Sequence, residues 1–362
     1  MRHSNVVFAL ILTVGSLAML PASAQQTPQA EAPQPSAAQA EPTTMGTVVV
    51  TGSLPGPGLW RVTSGPHTLY ILGTISPLPS GMDWNASDVE EVLARAQEVI
   101  APGRAQGKVG IGAAFKMAPL ARSFMKAIRI PDRQTLQDLL PAQVFSQWRS
   151  LKAKYRPDDT AVERDRPILA SQDLYFSAID ASGMTRSALA WNRVSELAKA
   201  KGIAITETSV SYPLVIDHAK YKAGIQALSD ARADDEVTCF AATLDTLESD
   251  LEVMKQAANA WATGDPALLE APGNVEGQPA CKAEYDRLMG FQERPELAAQ
   301  VRAKWLAAAK AALERNQVTL AVLPIAELVG ADGQLAQLSA KGYQVNAPDE
   351  VSSDEPATAN GS

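Results

Sequence analysis

Gly58 to Pro79 reads GLWRVTSGPHTLYILGTISPLP, and its two apolar runs decide the fold. Leu59-Trp60-Arg61-Val62 and Leu69-Tyr70-Ile71-Leu72 flank Ser64-Gly65-Pro66-His67, so β-formers stand on either side of turn residues and predict a hairpin. The second run is continuously apolar, which places it as a central strand buried on both faces. It stops at Gly73-Thr74-Ile75-Ser76-Pro77. A glycine directly after a buried strand lets the backbone turn sharply and approach a neighbour or ligand, as at the strand ends that carry chemistry in many α/β folds. An ordinary strand exit fits the same letters, and on the letters alone it is the simpler reading.

A second stretch near the other end changes that balance. Val318-Thr319-Leu320-Ala321-Val322-Leu323 is again an apolar strand, followed by Pro324-Ile325-Ala326-Glu327. Both places have a strand, a four-residue exit and a polar side chain in the fourth position, Ser76 in one and Glu327 in the other. A closing segment ends in Gly342-Tyr343.

With these features the chain, from about Leu59 to Val345, resembles the TraB/GumN family, which includes the pheromone-shutdown proteins and the TIKI membrane metalloproteases. The family pattern is an aromatic hairpin, a strand ending in Gly-x-x-His, a helix whose following strand ends in Glu, an Arg-Asn helix start, a second Gly-x-x-His strand and a closing Gly-Tyr strand. The resemblance implies an α+β fold of the TIKI, erythromycin-esterase and ChaN-like kind: a mixed central β-sheet flanked by helices, with an α-helical insertion between about 108 and 184. It also implies that the two exits face one pocket. The frame is present and its chemistry is not. Ser76 stands where the first histidine would be and Glu327 where the second would be, with Pro324 at the second motif's glycine. Pro102 occupies the acidic position after Glu98-Val99-Ile100-Ala101, and Val301-Arg302 the Arg-Asn pair. Gly73 remains, and Glu207-Thr208 matches a Glu-Thr pair that the family places near its pocket. A solvated strand end accounts for Glu207 equally well.

Composition bounds the rest. A chain of 362 residues, 46% hydrophobic and 20% charged, can bury one large core or two small ones. Arg2, the apolar run Val6 to Leu20 and Ala22-Ser23-Ala24 read as a secretory signal peptide over residues 1–24, cut after Ala24, because the run is too short for a membrane span. No cysteine sits at that cut, so no lipid anchor is indicated, and no later stretch is long and apolar enough to span a bilayer. The expected location is the periplasm or beyond. Cleavage removes one of 32 basic residues against 40 acidic ones, leaving the processed chain one charge more negative than the −8 of the full sequence. Such a surface repels phosphate backbones, and nucleic acid is excluded as a partner class. Cys239 and Cys281 are the two cysteines, and in an oxidising compartment an even pair is expected to be bridged.

Residues 25–45 are rich in Ala, Pro, Gln and Glu and read as a disordered leader, and 349–362, with four acidic and no basic residues, as a frayed tail. The domain between them is placed at 46–348, with Thr47 to Gly52 as a possible extra edge strand. Ser87-Asp88-Val89-Glu90 predicts a capping box opening a helix, and a short strand ends near Ala101. Helical patterns cover Phe115–Ile130, Leu136–Leu140 and a Pro141-initiated segment carrying Phe145, Trp148 and Leu151; these side chains read as core, with Met117 and Met125 alternatively lining an apolar groove. Further helices are expected over Ala188–Lys201, closed by Gly202, over Glu236–Trp261, around Cys281 and over Pro295–Asn316.

Two readings of function follow. In the first, the scaffold is kept and the metal ligands are lost, so that Gly73, Ser76, Glu207, Pro324 and Glu327 mark a vestigial pocket in a non-catalytic binder of a periplasmic peptide, glycan or protein, with no cofactor. In the second, Ser76, Glu207 and Glu327 form an altered ligand set for Mn, Co or Zn in a peptidase or related hydrolase. A serine nucleophile, Ser76 activated by His67 or His218, is a weaker third, since no G-x-S-x-G elbow is present.

Overall fold

The computed structural model describes residues 56–108, 111–213, 217–265, 280–289 and 295–348. The readings of the signal peptide, leader, edge strand at Thr47 to Gly52 and acidic tail lie outside these residues.

The predicted hairpin forms. Strand β1 (Leu59–Ser64) pairs antiparallel with β2 (His67–Thr74) in register Leu59↔Leu72 to Ser64↔His67, and Gly65 takes a φ of +56° at the turn. After β2 come a short β3 (Leu78–Pro79), helix α1 (Ser87–Arg95), β4 (Glu98–Ile100) and β5 (Ala105–Lys108). Helices α2 (Ile111–Ala127), α3 (Leu136–Leu139), α4 (Ala142–Tyr155) and α5 (Pro167–Ala181) follow, then β6 (Met184–Thr185), α6 (Leu189–Ala200), β7 (Ala204–Thr206) and β8 (Val210–Pro213). The rest comprises α7 (His218–Asp230), α8 (Val237–Thr263), α9 (Lys282–Met289), α10 (Pro295–Arg315), β9 (Val318–Pro324), α11 (Ile325–Leu328), α12 (Gln334–Ser339) and β10 (Gln344–Asn346).

The main sheet has six strands in the order β10-β1-β2-β9-β4-β7. It is mixed: β10–β1 and β1–β2 are antiparallel, whereas β2–β9, β9–β4 and β4–β7 are parallel. Leu69, Ile71 and Leu72 of β2 and Leu320 to Leu323 of β9 are almost wholly buried, as continuous apolar runs in parallel strands require. The core around them takes in α1, α6, α10 and the C-terminal turn of α8.

The helical insertion is larger than the sequence expectation of 108–184. Its core joins Trp148 and Leu174 to Phe240, Leu247 and Met254, so a later segment, α8, completes it. The chemistry that ties the two pieces is explicit. Arg166 and Glu236, each 1% exposed, form a buried ion pair; Arg166 Nη1 also donates to the Leu228 carbonyl (3.0 Å), and Glu236 accepts from the Ile168 amide (3.2 Å). Cys239 on α8 and Cys281 beside α9 lie at bonding distance, with Cα atoms 5.3 Å apart. Tyr175 on α5 donates to Asp250 on α8 (2.9 Å).

One local expectation fails. Ser87 does not cap α1: the side chain of Asn85 accepts from the Ser87 amide (3.0 Å), so the helix begins one residue earlier than a Ser87 cap allows. Glu90, the other half of the expected box, instead faces Arg193 of α6 (3.3 Å).

Candidate functional site

Because β2, β9, β4 and β7 run parallel, their C-terminal ends share one edge of the sheet. Residues of β2 and β9 pair Gly73↔Leu323 and Thr74↔Pro324, so the exits carrying Ser76 and Glu327 leave that edge side by side. The two strands that bring these exits together lie some 250 residues apart in sequence.

What lies at the edge is mainly apolar packing. A methyl group on Gly73 would come within 2.5 Å of Trp60 Cζ3 and 2.7 Å of Ile325 Cγ1, so glycine is required because two side chains already press on its Cα. The Gly73 carbonyl accepts a hydrogen bond from the buried indole of Trp261 (2.7 Å), and Trp261 in turn meets Trp84 edge-on at 5.3 Å. At the end of β4, a methyl on Gly103 would lie 2.6 Å from Val301 Cγ1 and 2.9 Å from Thr208 Oγ1. Val301, at the position of the family's arginine, is buried and packs on that glycine. The buried Thr208 hydroxyl donates to the Ala101 carbonyl (2.8 Å), which stitches the β4 exit to the β7 exit.

The candidate residues separate accordingly. Gly73 is buried, Ser76, Pro324 and Glu327 are half-buried, and Glu207 is exposed just beyond β7. Strand β7 is two places from β9 and three from β2, so at about 4.8 Å per strand Glu207 leaves the sheet roughly 10 Å from one exit and 14 Å from the other. Among the described residues no group of three or more His, Cys, Asp or Glu side chains is arranged to hold a metal ion. Ser76, Glu207 and Glu327 thus follow three different strands, β2, β7 and β9, and two of the three carry carboxylates.

His67 is not placed to activate Ser76. His67 opens β2 at the opposite edge of the sheet, about 23 Å along the strand from Thr74, and its Nδ1 contacts the Asn316 carbonyl at 2.7 Å. His218 begins α7, where it is exposed.

A cleft of about 620 Å³ opens beside the loop that follows β2. Asp83, Trp84, Asn85 and Ser87 line one side, and Asn192 and Arg193 of α6 the other. None of the five candidate residues lines it. Trp84 connects it through Trp261 to the Gly73 carbonyl, a role that sequence reading missed, because a tryptophan in a loop carries no signal that distinguishes packing from a pocket wall.

No helix among the described residues is long and apolar enough to cross a membrane. No curated protein and no solved structure matches the chain. The pattern of the TraB/PrgY/gumN family matches residues 58–347, from the start of the hairpin to just past β10. A match of that extent, over a mixed sheet whose two strand exits meet at one edge, shows that the chain belongs to the TraB/PrgY/gumN family.

Proposed function

We propose that this member of the family is a non-catalytic binding protein of the cell envelope, in which the edge that would carry a metallohydrolase site has become packing. The observation that carries this is the filling of the strand ends by Trp60, Trp261, Ile325 and Val301, together with Ser76 and Glu327 in the positions where the family resemblance places histidines. A hydroxyl and a single carboxylate make a poor cage for a divalent ion, and the other carboxylate of the expected set, Glu207, is exposed after a strand two places from β9. An export signal at residues 1–24 and the Cys239–Cys281 pair support an extracytoplasmic location. The ligand belongs to the peptide, glycan or protein classes, since a net charge of −8 disfavours nucleic acid.

The test is metal content. Protein exported and purified natively should contain no stoichiometric metal and release no heat on titration with manganese, cobalt or zinc. One equivalent of bound metal that disappears in Glu327→Gln would overturn the proposal and restore a hydrolase with an altered ligand set.

A further inference from the structure

Charge is unevenly distributed along this acidic chain. Residues 103–130 hold six Lys and Arg and no Asp or Glu, and residues 218–229 hold two lysines and no carboxylate, although the whole chain carries −8. The fold brings these two stretches together. β5 pairs in parallel with β8 from Ala105↔Val210 to Lys108↔Pro213, and the helices that follow them, α2 and α7, share one core through Leu120, Ala127, Ile225 and Leu228.

The cations of this lobe are open to water. Arg104, Lys108, Arg122, Lys126, Lys220 and Lys222 are all exposed, and among the described residues the first four have no ion-pair partner, whereas Arg129 is held by Asp165 (2.6 Å). The carboxylates of α9, which packs on α7, are engaged within their own helix, Glu284 with Arg287 and Asp286 with Lys282. On α2, Leu120, Phe124 and Ala127 turn into the shared core at helical spacing, which leaves Arg122, Met125 and Lys126 on the outer face. Met125, 51% exposed, is the one exposed large apolar side chain among the described residues, and it shares its face with two cations.

We infer that the lobe built from α2 and α7 docks on the surface of a membrane that contains anionic phospholipid. Screening confines the field of an exposed charge to about 8–10 Å at moderate salt, so headgroups meet the local cations and not the net charge of the molecule. Cations alone would suit any polyanion. Met125 is what favours a bilayer: at the boundary between headgroups and acyl chains an apolar tip and its cationic neighbours are satisfied together, whereas a polyanion in water leaves the tip wet. Each cation that reaches the anionic surface strengthens attachment by about fivefold, so a few suffice for reversible docking without a spanning helix. The inference adds a surface and its counterpart to the binding role proposed above. It rests on the envelope location in that reading and not on the loss of catalysis, so the metal assay and a vesicle assay can fail separately.

The probe is a large unilamellar vesicle of phosphatidylcholine with about 30% phosphatidylglycerol, against a vesicle of phosphatidylcholine alone. Flotation with the exported, full-length protein at about 0.1 M salt should show partition onto the anionic vesicle that weakens by about tenfold or more in Arg122→Gln/Lys126→Gln and when salt is raised to about 0.5 M. Met125→Gln should weaken it by about threefold or more while leaving its salt dependence unchanged. Lys201→Gln, a cation on α6 outside the lobe, should have no effect, and circular dichroism should show every variant folded. Equal partition onto the two vesicles, or an unchanged double variant, overturns the inference. Binding to duplex DNA or inorganic polyphosphate that is tighter than to the anionic vesicle and insensitive to Met125→Gln would assign the lobe to a soluble polyanion, and would likewise overturn it.

Discussion

Replacing Gly73 with alanine tests whether the strand edge is packed as described. The added methyl would stand 2.5 Å from Trp60 Cζ3, 3.1 Å from Trp60 Cη2 and 2.7 Å from Ile325 Cγ1, where ordinary contact begins near 3.4 Å. Relief requires a shift of nearly 1 Å in the Trp60 ring, which is 7% exposed and flanked by core, or in Ile325, which is 6% exposed. Overpacking of this kind costs about 1–3 kcal/mol. The assay is urea unfolding followed by tryptophan fluorescence, with an expected fall in midpoint of roughly 0.5–1 M. A double-mutant cycle sharpens it, because Trp60→Phe removes the two ring atoms that meet the new methyl. Gly73→Ala should therefore cost about 1 kcal/mol less in the Trp60→Phe background than alone. Strict additivity, or a neutral Gly73→Ala, would show that the edge is open rather than filled, and the basis for a non-catalytic reading would go with it.

Three further outcomes can be measured on the same unfolding curves. Glu236→Gln should destabilise by about 3–5 kcal/mol by leaving the Arg166 guanidinium buried without its carboxylate, whereas the paired change Arg166→Met/Glu236→Leu should cost much less; equal losses would refute the pair as a coupled unit. Burial pushes Asp165 up to about 6 in spite of its contact with Arg129 at 2.6 Å, with the Asp173 and Asp159 charges adding to the rise. The folded state then holds this proton more tightly than the unfolded chain, whose value is about 3.9, so its contribution to stability is full below pH 4 and is lost as pH rises through about 6. Asp165→Asn should flatten stability across that window by on the order of 2 kcal/mol, and an unchanged slope would refute the assignment. Reduction of Cys239–Cys281, or Cys239→Ser/Cys281→Ser, should lower stability by about 4 kcal/mol for a separation of 42 residues, and an unaltered midpoint in dithiothreitol would show that the bond is not made in solution.

The hairpin and the last buried strand were readable because their signals are local: continuous apolar runs, a turn rich in Gly and Pro, and breaks at Gly73 and Pro324. The helix end at Gly202 was equally plain, since that glycine takes a positive φ at the helix exit. The Thr74↔Pro324 register carries no local mark, and only resemblance to a family brought those two exits together in advance. Ser87-Asp88-Val89-Glu90 misled because the pattern of a capping box is silent about Asn85, whose side chain reaches the Ser87 amide first. Trp148 was legible as core and is fully buried, whereas Met125, the same kind of apolar residue on α2, is 51% exposed; spacing identifies a face without saying whether a neighbour covers it. The packing role of Trp261 escaped for the same reason, because its partner, the Gly73 carbonyl, is 188 residues away.

The sheet order carries a consequence for how the molecule comes into being. β2 lies between β1 and β9, and β1 lies between β2 and β10, so the opening hairpin cannot be enclosed until residues 318–346 have been delivered. Throughout synthesis the apolar strand β2 waits for its parallel neighbour β9, and closing so long a loop is slow compared with forming any helix in between. The helical insertion can gather first; the central sheet is sealed last, by the strands that leave the ribosome at the end.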